Sequence, residues 1–168
     1  GGPECILGRD GKPLPGMTKD EIHDFISRFA QRCHQLQSIG FDMVNIYMSY
    51  DASILAKSLS PVFNQRKDEY GGSFENRMRF PRLIVEEVRR RVGDRAAVIA
   101  RINASDEMLG GLDVHDAAAV ASYLESCGVA CLHVSRAVHI KDEYMWAPTA
   151  VHGGFNADLV SEIKRAVH

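Results

Sequence analysis

Three side chains are predicted to lie at the carboxyl ends of strands, where barrel enzymes carry their chemistry. Arg101 ends the apolar run 96–102, and Tyr47 and Tyr50 lie at the end of the run 41–48. A fixed guanidinium can stabilise negative charge that develops during a reaction. A phenol can donate a hydrogen bond to a carbonyl or enolate oxygen. These three residues are therefore the first candidates for catalysis or cofactor binding.

Each candidate also has a purely structural interpretation. Arg101 could form an ion pair with Asp106 or Glu107, and the two tyrosines could simply pack at the end of a strand. Arg136 and His139 follow the third predicted strand on the same presumed face, and they are further candidates for contact with a substrate or cofactor. The sequence leaves these alternatives open.

The other potential ligands form no recognised metal or redox motif. The four cysteines have no C-x-x-C spacing, so free thiols are expected, buried in the case of Cys33 and Cys131. His133 lies inside a predicted strand and is expected in the core. There is no zinc or calcium motif, and no G-x-S-x-G motif that would indicate a serine hydrolase.

The elements that must position these residues alternate in the order α-β-α-β-α-β-α. Helices are predicted to begin after Thr18, which with Glu21 forms a capping box, and after Ser73, Asp113 and Asn156. Strands are predicted over residues 41–48, 96–102 and 129–134, with a long loop from the first strand to Gly72. The second strand is almost continuously apolar, which predicts that it is covered on both faces.

This alternation predicts an α/β fold with parallel strands and right-handed crossovers. A doubly wound sheet and a (β/α) barrel both satisfy it. No G-x-G-x-x-G follows a strand, which argues against a Rossmann dinucleotide site. Three strands are too few to close a barrel of eight, so a barrel would be partial.

The composition is that of an ordinary globular domain. The chain has 168 residues, is 45% hydrophobic and carries a net charge of −2. It has no basic region that suggests nucleic acid binding and no apolar run long enough for a membrane span, so a cytoplasmic protein is expected. Residues 1–16 are interpreted as a loop whose Gly1 and Gly2 are a cloning remnant, and residues 17–168 as a piece of one domain excised from a longer protein.

The most distinctive stretch is 59–80, which reads LSPVFNQRKDEYGGSFENRMRF. It resembles the signature of the FMN-dependent NADH:flavin oxidoreductases related to old yellow enzyme and 2,4-dienoyl-CoA reductase. The resemblance continues through 98–103, 110–113 and 133–135. It is similar in particular to the bacterial 2-enoate reductase branch, in which the barrel precedes an iron–sulfur cluster and a second nucleotide-binding region.

This resemblance implies a partial TIM (β/α)8 barrel that contains about strands four to six with their helices. It also implies FMN as cofactor and NAD(P)H as electron donor, with hydride delivered to an activated alkene. By the same resemblance, Arg101 faces the N1/O2 edge of the flavin and Arg136 is a second candidate for cofactor contact. Tyr47 and Tyr50 occupy the positions where many relatives place two histidines, or histidine and asparagine, that bind the substrate carbonyl.

The sequence departs from the family pattern around the two tyrosines. Some relatives that oxidise amines carry tyrosine at the first position, so another substrate is an alternative. The tyrosine that often donates the proton is replaced here, because Ala52 and Ser53 lie at that place. A non-catalytic interaction or assembly module derived from a degenerate barrel is the second hypothesis.

Two further expectations follow from the missing part of the barrel. FMN phosphate sites in this fold lie after strands seven and eight, so the isolated chain is expected to be inactive. Its open sheet edges and uncovered apolar face predict self-association. A small-molecule substrate is expected in the parent protein, with neither nucleic acid nor a membrane as partner.

Overall fold

The computed structural model describes residues 6–7, 13–14, 16–138 and 152–168. Two short strands, β1 (Ile6–Leu7) and β2 (Pro13–Leu14), pair antiparallel at the start of the chain. The interpretation of residues 1–16 as a loop was therefore wrong for these two segments. The remaining elements, in chain order, are α1 (Lys19–Ser38), β3 (Met43–Met48), α2 (Ile54–Leu59), α3 (Phe74–Val92), β4 (Ala97–Asn103), α4 (Val114–Ser126), β5 (Cys131–Ser135) and α5 (Ala157–Arg165).

Strands β3, β4 and β5 form a parallel sheet in that order. Successive strands are joined through helices, which confirms the predicted α/β class. The register places Tyr47 opposite Arg101, and Arg101 opposite His133. Residues at the same level of the three strands therefore project from the same face of the sheet.

The two faces of the sheet differ in burial. Val44, Ile46 and Met48 of β3 are buried against the helices, whereas the alternate residues of the strand are exposed. Val98 and Ala100 of β4 are fully buried on the same helical side. The prediction that this strand is covered on both faces was wrong, because the helices lie on one side of the sheet and leave the other open among the described residues.

Most predicted helix starts are confirmed by their capping hydrogen bonds. The Thr18 hydroxyl accepts from the Glu21 amide at 3.2 Å, and the Glu21 carboxylate accepts from the Thr18 amide at 2.7 Å. Ser73 and Asp113 likewise cap α3 and α4 through their side chains. Asn156 lies at the start of α5 but makes no side-chain cap, since its own backbone is helical rather than extended.

One helix was missed by the sequence prediction. Helix α2 lies within the stretch 49–72 that was predicted as a loop. The Ser53 hydroxyl accepts from the backbone amides of Leu55 and Ala56, and Leu55 and Leu59 are buried. Six residues make fewer than two turns, so the apolar periodicity that predicts longer helices has little room to show.

Cys33 and Cys131 differ in burial because they lie on opposite sides of the sheet. Cys33 is buried, and this burial raises the pKa of its thiol to about 11, as suits an unreactive core thiol. Cys131 is exposed, so the expectation of a buried thiol was wrong there, because its position in β5 projects from the open face. Cys5 lies outside the described residues. Within the described part of the chain, no cluster of metal-ligating side chains occurs and no helix is long and apolar enough to span a membrane.

Candidate functional site

Three side chains form a row across the open face of the sheet. Tyr47, Arg101 and His133 are paired in register on adjacent parallel strands, about 4.8 Å apart. His133 is exposed, so its predicted place in the core was wrong. The error has the same cause as at Cys131: odd-numbered positions of β5 before Ser135 face away from the helices.

Arg101 lies between the two candidate tyrosines. Its Cζ is 5.5 Å from the centroid of the Tyr47 ring and 5.0 Å from that of Tyr50, which is within the range of cation–π attraction. Its Nη2 donates a hydrogen bond of 2.8 Å to the phenol oxygen of Tyr50. The two ring centroids are 6.3 Å apart. We call Tyr47, Tyr50 and Arg101 the aromatic–arginine cluster.

The Tyr47 phenol is favoured in its protonated form. Burial raises the pKa of the Tyr47 phenol above its ordinary value, although the nearby charge of Arg101 opposes this change. Tyr47 is nevertheless 39% exposed, so its hydroxyl can be reached from the open face. A phenol that remains protonated at neutral pH can donate a hydrogen bond to an oxygen of a ligand.

Arg101 has an unused donor. Its Nε–H is buried and has no hydrogen-bond acceptor among the residues that the structure describes. The alternative of an ion pair with Asp106 or Glu107 is not found, since Asp106 accepts from Ser60 and other groups, and Glu107 binds Arg136. A buried donor without an acceptor is costly, and functional sites often contain one.

Arg136 is held by the loop that follows β4. Its Nε donates to the Glu107 carboxylate at 2.7 Å, and its guanidinium lies 6.0 Å from the centroid of the Phe155 ring. Its positive charge is therefore matched by Glu107, in contrast to that of Arg101. His139, the other candidate after this strand, lies outside the described residues.

A buried polar network joins the carboxyl ends of the three strands. The Oδ1 of Asn103 accepts from the Ser49 hydroxyl at 2.9 Å, from the Tyr50 amide at 3.1 Å and from the Ser135 hydroxyl at 3.2 Å. The Nδ2 of Asn103 donates to Asp106 at 3.1 Å. We call Ser49, Asn103, Ser135 and Asp106 the strand-end network. Sequence reasoning missed it, although Asn103 and Asp106 directly follow the apolar part of a strand.

Tyr50 has an unusual backbone conformation. Its φ is +54°, in the left-handed region that residues other than glycine seldom adopt. Such conformations persist where the surrounding contacts hold them, and they are common at functional sites. Here the amide of Tyr50 donates to Asn103 and its phenol accepts from Arg101, so the residue is held at both ends.

The distinctive stretch identified in the sequence is braced internally. We call residues 58–73 the signature loop. Within it, Asn64 donates to the carbonyls of Ser58 at 2.7 Å and Tyr70 at 2.8 Å, and Arg66 donates to both oxygens of Asp68, at 3.0 and 2.6 Å. These contacts lie within the loop itself, which agrees with the structural role predicted for its polar residues.

A model of the NADH:flavin oxidoreductase / NADH oxidase family matches residues 6–165 of the chain. The chain belongs to this family. Among its curated relatives, the NADH oxidase of Thermoanaerobacter brockii is 30% identical over 99% of this chain and 25% of its own length. The NADPH dehydrogenase of Bacillus licheniformis is 33% identical over 80% of this chain and 39% of its own length.

The fold agrees with this family assignment. A 2-naphthoyl-CoA reductase in complex with 2-naphthoyl-CoA superposes with a TM-score of 0.82 and 25% identity, over 98% of this chain and 25% of that one. The structural neighbours are TIM barrels of the old yellow enzyme type, which confirms the predicted fold class. The chain spans a quarter to about two fifths of the length of the two curated relatives named above.

Proposed function

We propose that this chain is the central part of the catalytic barrel of an FMN-dependent, NAD(P)H-linked oxidoreductase. The reaction would deliver hydride through the flavin to an activated alkene or a related substrate. The observation that carries the proposal is the aromatic–arginine cluster, which lies at the carboxyl ends of parallel strands in a member of the NADH:flavin oxidoreductase family. That end of the strands is where barrel enzymes carry their active sites.

The residues of the cluster fit a flavin. The buried Nε–H of Arg101 lacks an acceptor among the described residues, and the N1/O2 edge of a flavin offers acceptors that become more negative on reduction. We assign Arg101 to that edge and keep Arg136 as the second candidate for cofactor contact. When bound, FMN would supply the hydride-transfer chemistry. The positive charge of Arg101 is what an anionic reduced cofactor requires nearby.

Tyr47 and Tyr50 are assigned to the substrate. Tyr47 is exposed on the open face and remains protonated, so it can donate to a substrate carbonyl and withdraw electron density from a conjugated double bond. Tyr50 is fixed by Arg101 and by its own backbone amide. Two phenols in place of imidazoles would activate the substrate by neutral hydrogen bonds.

The names of the similar proteins support particular parts of the proposal. NADH oxidase and NADPH dehydrogenase support a nicotinamide donor, and 2-naphthoyl-CoA reductase supports reduction of a CoA thioester, the substrate class expected for the proposed 2,4-dienoyl-CoA reductase branch. An iron–sulfur cluster outside this chain and a cytoplasmic location belong to the same proposal. Iron analysis and cell fractionation of the protein from the complete reading frame would check them.

The main experiment compares two arginine variants in the protein from the complete reading frame. Arg101→Met should lower kcat/KM for NAD(P)H-dependent reduction by about 100-fold or more, the usual cost of losing one donor to a developing anion. Arg82→Met is the matched control, because Arg82 is paired with Glu86 on helix α3 and belongs to no candidate site. An Arg101→Met enzyme with wild-type kinetics and flavin spectrum would contradict the proposal.

The tyrosine assignment needs separate variants. Tyr47→Phe should lower kcat with an enone substrate by about 100-fold, because general acid and hydrogen-bond catalysis contribute on this scale. Phenylalanine keeps the ring that packs on Arg101, so the loss would report the hydroxyl alone. Full activity of both Tyr47→Phe and Tyr50→Phe would contradict the assignment of the tyrosines to the substrate. Absence of any turnover in the unmodified protein would favour the second hypothesis, a non-catalytic assembly module.

We propose that the isolated 168-residue chain does not turn over and does not hold FMN tightly. Phosphate sites of such barrels lie in loops after strands seven and eight, and the chain matches only part of its relatives. Titration of the chain with FMN should give no stoichiometric, red-shifted flavin spectrum. Tight one-to-one binding would overturn this part of the proposal.

We also propose that the isolated chain self-associates. Ile39, Phe41 and Met43 are 74%, 53% and 52% exposed at the start of the edge strand β3, and such a patch favours association. Light scattering should show oligomers that Phe41→Ser weakens. Leu109→Ser is the control, since Leu109 is fully exposed in the loop after the opposite end of β4. A monodisperse monomer at high concentration would contradict the proposal.

A further inference from the structure

The left-handed backbone of Tyr50 is held through the side chain of Asn103. The Tyr50 N–H donates to Oδ1 of Asn103 at 3.1 Å, across 53 residues of sequence. The left-handed backbone of a residue other than glycine is strained. The hydrogen bond to Asn103 offsets part of that strain and directs the Tyr50 side chain toward Arg101.

This hydrogen bond requires one of the two orientations of the Asn103 amide. In the observed orientation, Oδ1 faces Ser49, Tyr50 and Ser135, and Nδ2 faces Asp106. Reversal would direct Nδ2 at the Tyr50 N–H, so that two donors would meet. The serine hydroxyls can donate or accept and tolerate both orientations, but a backbone N–H can only donate.

Asp106 selects the orientation. Its Oδ1 accepts from Nδ2 of Asn103 at 3.1 Å, and an ionised carboxylate has no proton to donate to an amide oxygen. Its other oxygen accepts from the Ser60 hydroxyl at 2.7 Å and from the Leu112 amide at 2.9 Å. Asp106 is only 2% exposed, so these protein groups are its hydrogen-bond environment.

The loop is built closely around this carboxylate. A Cβ at Gly111 would lie 2.8 Å from the Asp106 Cβ, which is too close for any residue other than glycine. The Asp106 amide also donates to the Leu112 carbonyl at 2.8 Å. The side chain of Asp106 is therefore held in place by contacts other than that with Asn103. The fixed carboxylate in turn fixes the orientation of the Asn103 amide.

The geometry points to Asn103 and Asp106 as positioning residues, in which the Asp106 carboxylate fixes the Asn103 amide and the amide holds Tyr50 in place beside Arg101. The importance of this role rests on the proposed function, because Tyr50 is assigned there to the substrate. The positioning itself can be measured without turnover.

The first test replaces one atom that does not touch Tyr50. In Asp106→Asn, the new side-chain oxygen should face the Leu112 N–H, which can only donate, so the new NH2 group lies opposite Nδ2 of Asn103. The Asn103 amide should then reverse and release the Tyr50 amide. Hydrogen exchange of the Tyr50 amide should then accelerate about tenfold, as expected for the loss of one hydrogen bond. Ser60→Ala is the matched control, since it also removes a hydrogen bond to Asp106 but leaves Asn103 in place, and it should not change Tyr50 exchange.

The second test exchanges the two side chains. In Asn103→Asp/Asp106→Asn, the new amide donates to the new carboxylate, and the carboxylate again presents an oxygen to the Tyr50 N–H. Slow exchange and the wild-type chemical shift of the Tyr50 amide should return. The proposal is overturned if Asp106→Asn behaves like Ser60→Ala, or if the exchanged pair does not restore Tyr50. If Asp106→Asn does not fold, the exchanged pair decides alone, and an unfolded pair also overturns the proposal.

Kinetics of the protein from the complete reading frame separate this inference from the proposed function. If both hold, Asp106→Asn lowers kcat and the exchanged pair restores it, in parallel with the Tyr50 amide. If exchange responds but kcat does not, the positioning role stands and the assignment of Tyr50 to the substrate fails. If the Tyr50 amide does not respond, the positioning role fails whatever the kinetics show.

Discussion

The signature loop and the aromatic–arginine cluster differ in how their polar groups are satisfied. In the loop, Asn64 makes three hydrogen bonds and Arg66 binds both oxygens of Asp68. In the cluster, the Nε–H of Arg101 has no acceptor within the described part of the chain, and Tyr47 is partly exposed. The segment that identifies the family most clearly is therefore a scaffold, and the unsatisfied donor lies elsewhere.

The largest loss of stability should come from substitution of Gly71 in the signature loop, and its neighbour Gly72 provides the comparison. A Cβ at Gly71 would lie 2.3 Å from the Arg66 carbonyl oxygen, whereas Gly72 has no atom within 4 Å and only a φ of +83°. Gly71→Ala should lower the free energy of unfolding by about 4 kcal/mol, because the backbone must move. Gly72→Ala should cost about 1 kcal/mol. Urea denaturation would compare them, and equal losses would contradict a tightly braced loop.

Asn64 should be the most important side chain of the loop. It is 5% exposed and satisfies the carbonyls of Ser58 and Tyr70 together with the Arg66 amide. Asn64→Ala should cost about 3 kcal/mol, since it leaves buried polar groups without partners. Gln65→Ala, at the exposed neighbour, should cost under about 0.5 kcal/mol. If the two variants unfold at the same urea concentration, the loop is not held as described.

Asp68 of the signature loop and Asp106 of the strand-end network should make opposite contributions to the pH dependence of stability. The hydrogen bonds from Arg66 hold the pKa of Asp68 below its ordinary value, whereas burial raises the pKa of Asp106. Stability from Asp68 is full above the unfolded pKa of about 3.9 and is lost as pH falls through the folded value. For Asp106 the folded state binds the proton more tightly, so its contribution weakens as pH rises from about 3.9 through the folded pKa.

Asp68→Asn should therefore flatten the acid limb of the stability–pH profile and cost about 1 kcal/mol at pH 7. Asp106→Asn should remove the opposite slope above pH 4. Chemical denaturation at several pH values would check both variants. The comparison between loop and site fails if both variants change the slope in the same direction.

The smallest predicted effect is a change in the pKa of the Tyr47 phenol. The charge of Arg101 lowers the pKa of Tyr47 against the larger effect of burial. Arg101→Met should therefore raise the pKa of the Tyr47 phenol further, which NMR of labelled tyrosine would measure. Arg136→Met should leave it unchanged, because Arg136 is paired with Glu107 and its charge does not contribute to the shift of the Tyr47 pKa. A fall in the Tyr47 pKa on loss of Arg101 would contradict the cluster.

Much of the fold could be predicted because its signals are local. The capping box of Thr18 and Glu21 and the apolar runs of the strands specify helices and parallel strands within short windows of sequence. Helix α2 could not, because six residues give too short a pattern. The exposure of His133 and Cys131 depends on which face the helices cover, and that is settled by contacts between distant segments.

The candidate site could be predicted only in part. Tyr47, Tyr50 and Arg101 were identified from their places at strand ends, and the register of β3 and β4 brings them together. The strand-end network was not predicted, because the side chain of Asn103 contacts Ser49, which directly follows β3, and Ser135 of β5. Sequence shows which polar residues follow a strand but not which of them meet across the sheet.

The pleat of the sheet has a consequence for how this protein could diversify. Val44, Ile46 and Met48 pack into the core, while the residues between them and at the strand end face the candidate site. A substitution at 47, 101 or 133 changes the open face without creating a cavity among the helices. Under the proposed function, reaction specificity can therefore drift at these positions while fold stability stays nearly constant, which is the condition under which one scaffold accumulates many activities.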